Sequence, residues 1–392
     1  MEEKMKKLTA VCALLGTLAA PVALAEEVKI GFISTFSGPA GYFGEDLRDG
    51  FMLGLKHSEG KTGGATISVM VEDDSLNPGK GLQIANKFLT ADKAAIITGV
   101  AFSNVAFVVA PRVLEANALY ISPNAGPSPF AGEKCHKNYF VVSWQNDNPH
   151  EALGHWANDI GYKKAFIMAT NYQAGKDVLN GFKRTFAGQI IDEVYTPMNQ
   201  MDYATEIAKI RSLKPEMVFE FLPGGMGNNF LKQYEQSAMT KEFPLLLPGT
   251  SLDEYTLAAV GDSTVGIRTT LFWTEDMDNA ANKAFAADYR KTYKRTPTFF
   301  AAQAYDTAML IASALRQTNG KVSDRDAFSA AIKAAKFDSV RGNFKFGNNN
   351  HPIQDWWGRV VVKEADGTIR HKTERLVLKN HQDAYASLCP MK

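Results

Sequence analysis

The sequence predicts an α/β protein built as two doubly wound parallel-sheet lobes joined by several crossovers. Three observations carry that expectation. Short β-branched runs alternate with helix-length amphipathic stretches from residue 28 onward, the rhythm restarts after Trp144, and the last third turns into three successive helices. Strands separated by helix-length segments imply right-handed βαβ crossovers and a parallel sheet covered on both faces. A length of 392 residues exceeds that of one ordinary domain, and 45% hydrophobic content supplies a large core.

The first unit opens with a strand at 28–33 and a helix at 44–57 that places Leu47, Phe51 and Leu55 on one face. A strand at 66–71 precedes a helix marked by Leu82, Ala85, Phe88 and Leu89. A strand at 95–98 leads into a helix marked by Val105, Val108, Val109 and Val113, and a fourth strand lies at 119–122. The second unit has a helix at 151–160, a strand at 165–169 and a helix lined by Val178, Phe182 and Phe186. Strands at 190–194, 217–221 and 245–247 alternate with helices, one carrying Ile207, Ile210 and Leu213 and the other spanning 231–238. The final third supplies helices at 281–292, 300–316 and 326–335, then hairpin-like segments at 342–346 and 358–363. Asp366-Gly367 is suited to a type I′ turn. Helices that return to cover one of two sheets interleave the lobes, and such lobes hinge about their crossover strands with a cleft between.

Lys4, Lys6 and Lys7 precede an apolar run, and the segment closes on Ala23-Leu24-Ala25. A positive start, a short apolar stretch and an Ala-x-Ala end predict a secretory signal peptide at 1–25 and an extracytoplasmic, periplasmic product. Its removal deletes three lysines and two glutamates and leaves a formally neutral chain. Two cysteines remain, Cys135 and Cys389. In an oxidising compartment an even pair reads as one disulfide tethering the C-terminal tail, with two unpaired thiols as the alternative.

Several functions are disfavoured. Lys+Arg 43 against Asp+Glu 42 leaves no positive excess for phosphates, so nucleic acid is not an expected partner. Nothing after the N-terminal run is apolar for long enough to span a bilayer. His150 and His155 are five apart, not the four that put both on one helical face, so no metal is expected. Gly224-Gly225-Met226-Gly227 lacks the nucleotide fingerprint and reads as a turn at the cleft. Glu72-Asp73-Asp74 reads as a structural or solvated loop rather than an acid–base pair. No Gly-x-Ser-x-Gly elbow occurs, and neither mature cysteine sits in a Cys/His arrangement. No catalytic residue and no cofactor are assigned.

In open parallel sheets, ligands gather at the C-terminal ends of the strands. After the first strand, residues 34–44 hold glycines for a tight turn and present Tyr42 and Phe43 at the mouth. After the third, Gly99 to Asn104 opens a helix whose free N–H groups, with the Ser103 hydroxyl, form a natural carboxylate site. After the fourth comes Asn124-Ala125-Gly126, where Ala125 and Gly126 offer backbone donors. Phe102 and Trp144 are candidate apolar walls, and Phe221, ending a second-unit strand, is another.

These loops carry a likeness. Ile30-Gly31 through Ser37-Gly38-Pro39 and Gly44, then Glu72-Asp73-Asp74, Gly99 and Ile121-Ser122-Pro123, resemble the type I periplasmic binding proteins of the leucine/isoleucine/valine-binding branch. Tyr172-Gln173-Ala174-Gly175 and Tyr305-Asp306 extend the resemblance over essentially the whole mature chain. The resemblance implies two lobes joined by three crossovers, closing on a small molecule and delivering it to a membrane ABC permease. The expected lobes are 26–144 plus 275–350 and 145–274 plus 351–392, in a monomer. It implies that Ser103 and the loop Asn124–Gly126 hold the ligand carboxylate, that Phe43 lies over the ligand and that Tyr172 closes from the second lobe.

One departure shapes the expected ligand. Amino-acid binders of this family place an acid after the strand at 245–247 to pair with the ligand ammonium, where this chain has Ser251, whose loop is expected to engage the ligand from the second lobe. Asp253 and Glu254 lie close and can substitute if the loop shifts. A buried, unpaired ammonium is costly, so a pocket without a carboxylate disfavours free amino acids. The segments Asn124–Phe130 and Trp144–His150 look more like relatives that take up aromatic or other non-amino carboxylates. The expected ligand is therefore a small carboxylate without an amino group, with an aromatic ring. A branched-chain amino acid is the alternative, and a secreted α/β enzyme or a ligand-binding partner of a membrane sensor stand further off.

Overall fold

The computed structural model describes residues 26–391; the expected signal peptide at 1–25 lies outside them. The first sheet comprises β1 (Glu27–Ser34), β2 (Thr66–Asp73), β3 (Ile96–Thr98), β4 (Leu119–Ser122) and β5 (Tyr139–Val141), in the order β2-β1-β3-β4-β5 with every pair parallel. Ile30, Phe32, Ile96, Ile97 and Ile121 are wholly buried, as a sheet covered on both faces requires. Strand β5 escapes periodicity because three residues hold no repeat. It is fixed instead by Tyr120 stacked on Tyr139 at 5.2 Å and by Val141 N–H donating to the Asn350 carbonyl.

The second sheet comprises β6 (Lys164–Thr170), β7 (Gln189–Thr196) and β8 (Met217–Phe221), parallel in the order β7-β6-β8. A bridge between Val218 and Leu245 carries it on to β9 (Leu246–Pro248) and β10 (Arg268–Leu271), also parallel. Next come β11 (Lys345–Phe346), β12 (Pro352–Lys363) and β13 (Ile369–His381), with β12 antiparallel to β10, β11 and β13. Side chains alternate between two cores: Phe166, Met168 and Val218 enter one, while Ala165, Ile167, Met217 and Phe219 enter the other. Strand β13 was not anticipated because its sequence is mostly polar. It is the sheet's edge, where charge blunts unwanted pairing. The turn before it also differs from expectation. Only Gly367 has positive φ (87°), and its N–H donates to the Glu364 carbonyl, whereas a type I′ turn needs Asp366 left-handed as well.

The three late helices form at Ala280–Tyr293, Phe299–Gln317 and Arg325–Lys333 and return to the core of the first sheet. The helix Gly41–His57 lies so close to Phe299–Gln317 that a Cβ on Gly50 would sit 2.1 Å from the Ala301 carbonyl oxygen. Cys135 and Cys389 are disulfide-bonded with Cα atoms 5.6 Å apart, tethering the tail to the loop before β5. Among the described residues no helix is long and apolar enough to cross a membrane.

The chain passes between the sheets after β5, after β10 and before β12, and one buried ion pair ties the three passages together. Arg341 Nε donates to Asp306 Oδ2 at 3.0 Å, both side chains essentially without exposure. Arg341 Nη1 donates to the Val142 carbonyl and to Gln354 Oε1, each at 2.8 Å. The guanidinium lies 4.1 Å over the Phe272 ring. Asp306 also accepts from Ser339 Oγ and Val340 N–H.

Beneath the second sheet, Glu220 breaks the apolar alternation of β8: it is wholly buried and neither carboxyl oxygen has a partner among the described residues. Burial pushes its pKa up to about 8.

Two predictions follow from these buried groups. Asp306→Asn leaves the Arg341 charge uncompensated and lowers unfolding free energy by about 3–5 kcal/mol in urea denaturation followed by circular dichroism. The folded chain keeps the Glu220 proton after the unfolded chain has lost it, so stability falls as pH rises from about 4.5 to 8. Glu220→Gln is therefore more stable than the parent by about 4 kcal/mol at pH 8 and indistinguishable from it near pH 4.

Candidate functional site

A small cavity lies between the sheets, at the C-terminal ends of their strands. The first lobe supplies Phe43, Phe102, Ser103, Asn124 and Ala125 from the loops after β1, β3 and β4, with Phe300 from a late helix. The first crossover contributes Trp144 and Asn146. The second lobe closes the other side with His150, Tyr172, Phe221, Pro223 and Thr250, and with Ala174 and Val178 behind Tyr172.

The polar corner is set by a helix start. Helix Ser103–Glu115 begins at Ser103, and among the described residues no acceptor takes the N–H groups of Ser103, Asn104 or Ala125. Unsatisfied first-turn amides with the helix dipole behind them favour an anion. Ser103 Oγ accepts from Asn146 Nδ2 at 3.1 Å, which leaves the hydroxyl hydrogen free to donate elsewhere. Asn124 is held by its side chain, donating to the Ala101 carbonyl at 2.5 Å and accepting from Gln303 Nε2 at 2.6 Å.

Asn146 organises this corner across the hinge. Its Oδ1 accepts from Gly126 N–H at 3.1 Å, and its Nδ2 also reaches Asp177 Oδ2 at 2.9 Å. Asp177, on the second-lobe helix Gln173–Thr185, accepts from Ser128 N–H and Ser128 Oγ of the first lobe at 3.1 and 2.7 Å. Burial raises the Asp177 carboxyl, and donors from Ser128, Asn146 and Gln173 oppose the rise. The neighbouring Asp147, paired with Arg184, is pushed up to about 7 by burial and by the Asp177 charge.

The walls are aromatic. Phe43 stacks on Phe102 at 5.5 Å and on Phe300 at 4.3 Å, and Tyr172 lies nearly parallel to Phe221 at 6.3 Å. Trp144 packs on Phe272 and Phe299. Among the described residues no acidic side chain lines the cavity.

Eight residues expected from sequence therefore meet here: Phe43, Phe102, Ser103, Asn124, Ala125, Trp144, Tyr172 and Phe221. Three do not line the cavity. Tyr42 and Phe43 are adjacent on one helix and point about 100° apart, so only Phe43 faces inward. Tyr42 instead donates to Asp253 Oδ2 at 2.8 Å and packs at a tilt against Tyr255, joining the lobes beside the cavity. Gly126 gives its N–H to Asn146 rather than to a ligand. A Cβ there would sit 1.9 Å from the Trp144 carbonyl oxygen, so the glycine serves backbone packing. Ser251 donates to the Glu220 carbonyl at 3.2 Å, and its neighbour Thr250 takes the lining position.

Neither substitute acid enters the cavity. Asp253 caps the helix Glu254–Val260 and binds Tyr42, while Glu254 lies in a separate cleft beside Arg359. Asp73 and Asp74 hold the loops around Phe36 and Thr35, a structural role. No group of three or more metal-ligating side chains occurs among the described residues. Asn146, His150, Thr250 and Phe300 were missed as lining residues. The first two fall within the segment Trp144–His150 already singled out, but only the hinge geometry turns them inward.

Comparison with known proteins matches this geometry. The family described as periplasmic binding protein matches residues 27–367. Leu/Ile/Val-binding protein homolog 6 of Brucella abortus (strain 2308) is 27% identical over 384 residues, covering 94% of this chain and 96% of that protein. A solute-binding protein of an ABC transporter from R. palustris, solved in complex with benzoate, is 30% identical with a TM-score of 0.87, covering 93% of this chain and all of that one. Another from R. palustris, in complex with 4-hydroxybenzoate, is 28% identical with a TM-score of 0.85, covering 91% and 98%. With its two interleaved sheets, its cleft and a match over nearly the whole described chain, this protein belongs to the periplasmic binding protein family.

Proposed function

We propose that this protein is the extracytoplasmic solute-binding component of an ABC importer, and that it captures a small aromatic carboxylate between its two lobes. In this reading 26–144 plus 275–350 form one lobe and 145–274 plus 351–392 the other, a leader at 1–25 directs export to the periplasm, and a monomer hands the ligand to a membrane permease. The ligand carboxylate rests on the amides of Ser103, Asn104 and Ala125 and on the Ser103 hydroxyl, and its ring lies among Phe43, Phe102, Trp144, Tyr172 and Phe221. The observation that carries the reading is the lining itself: free donors at one corner, aromatic faces around it and no acid.

Magnitudes favour this ligand class over amino acids. Burying a ring of roughly 150 Å² is worth about 4 kcal/mol. Leucine would bury comparable apolar area, but its ammonium would enter a cavity without a counter-charge, at a cost of several kcal/mol. The complexes of the R. palustris relatives with benzoate and 4-hydroxybenzoate support the same choice. No chemistry is performed on the guest. Closure is driven only by contacts that exist when both lobes touch it.

Titration calorimetry tests the reading. Benzoate-type acids bind and are recovered unchanged, while leucine and isoleucine give no heat. Tight leucine binding without benzoate binding would overturn it. Ser103→Ala removes one hydrogen bond to a charged group and weakens the carboxylate by about 10–100-fold. Ser103→Ala combined with Tyr172→Ala abolishes binding while lowering stability by no more than about 2 kcal/mol.

A further inference from the structure

His150 is nearly unexposed, lines the cavity from the second lobe, and has a buried Nδ1 without a partner among the described residues. Its ring is wedged edge-on between Phe219 and Phe221, at 5.8 and 5.7 Å, so neither neighbour offers a hydrogen bond. Burial depresses its pKa to about 3, so the imidazole is neutral at ordinary pH and carries one donor and one acceptor nitrogen. Thr250 lines the same second-lobe wall, and its Oγ1 is likewise buried and unpartnered. Buried polar groups are costly to leave unpaired, so a wall built to pack a bare hydrocarbon ring would not carry two of them. Both stand on the lobe opposite the Ser103 helix start.

We infer that the second-lobe wall reads a hydroxyl on the ligand ring, with His150 as its principal partner and Thr250 as the second. This rests on the proposed capture of an aromatic carboxylate and narrows it to hydroxylated rings. A phenol hydroxyl suits the site because it can donate to the bare imidazole nitrogen or accept from the protonated one. A neutral imidazole also gives no advantage to a second anionic group on the ring. A site that hydrogen-bonds a substrate hydroxyl rejects the analogue lacking it, because its own polar groups are then left unpaired.

Calorimetry on the mature chain with benzoate and the 2-, 3- and 4-hydroxybenzoates tests this, with His150→Leu and Thr250→Val compared after each is shown to melt cooperatively. The parent is expected to prefer at least one hydroxybenzoate over benzoate by tenfold or more. His150→Leu collapses that ratio to within about threefold; Thr250→Val lowers the ratio in the same direction. Equal affinity of the parent for benzoate and all three hydroxy acids overturns the inference and leaves the proposed ligand class standing. So does a ratio that survives in His150→Leu, or in Thr250→Val where the histidine variant does not fold. Failure of every one of the four acids to bind the parent overturns both.

Discussion

The Arg341–Asp306 pair holds the three chain passages in one place, and the binding geometry depends on that register. A guanidinium without solvent is held by a counter-charge and by acceptors for its donors. Here those partners are Asp306, the Val142 carbonyl and Gln354, which come from a first-lobe helix, the first passage and the third passage; Phe272 of the second passage covers its face. Trp144 and Asn146 lie just beyond Val142 and Ser143. The same anchor thus sets where the cavity's crossover residues stand.

From that anchor, coupling between the lobes runs through polar contacts rather than a broad apolar interface. Asn146 touches Ser103, Gly126 and Asp177, and Asp177 reaches back to Ser128. Beside the cavity Tyr42 meets Asp253. Small polar contacts of this kind are individually weak in net terms, because each replaces a bond to water. A closed form built from them shifts readily with a guest that touches both sides, which is what a carrier needs if it must also release its load.

Charge in the cavity is arranged by exclusion. The acids near it are all engaged or turned away: Asp177 with Ser128 and Asn146, Asp253 with Tyr42, Glu254 in another cleft, Glu220 beneath the sheet. What remains toward the cavity is a set of amide donors, a neutral imidazole and aromatic faces. Such a lining selects against ammonium groups by desolvation alone, with no contact needed to repel them.

The amino-acid order by itself determined the alternation of strand and helix, the restart after Trp144, the return of three helices and the loops in which the chemistry lies. These are local properties, written in side-chain periodicity of two or 3.6 residues and in where glycine and proline fall. Short or charged strands such as β5, β10 and β13 carry no such period and were invisible. Which member of each loop faces the cavity was decided only by tertiary structure. Tyr42 against Phe43, Ser251 against Thr250, and the inward turn of Asn146 and His150 are choices of one residue's rotation, and local pattern does not encode them. They depend on how two sheets, distant in sequence, are set against each other by a buried ion pair whose partners lie 35 residues apart.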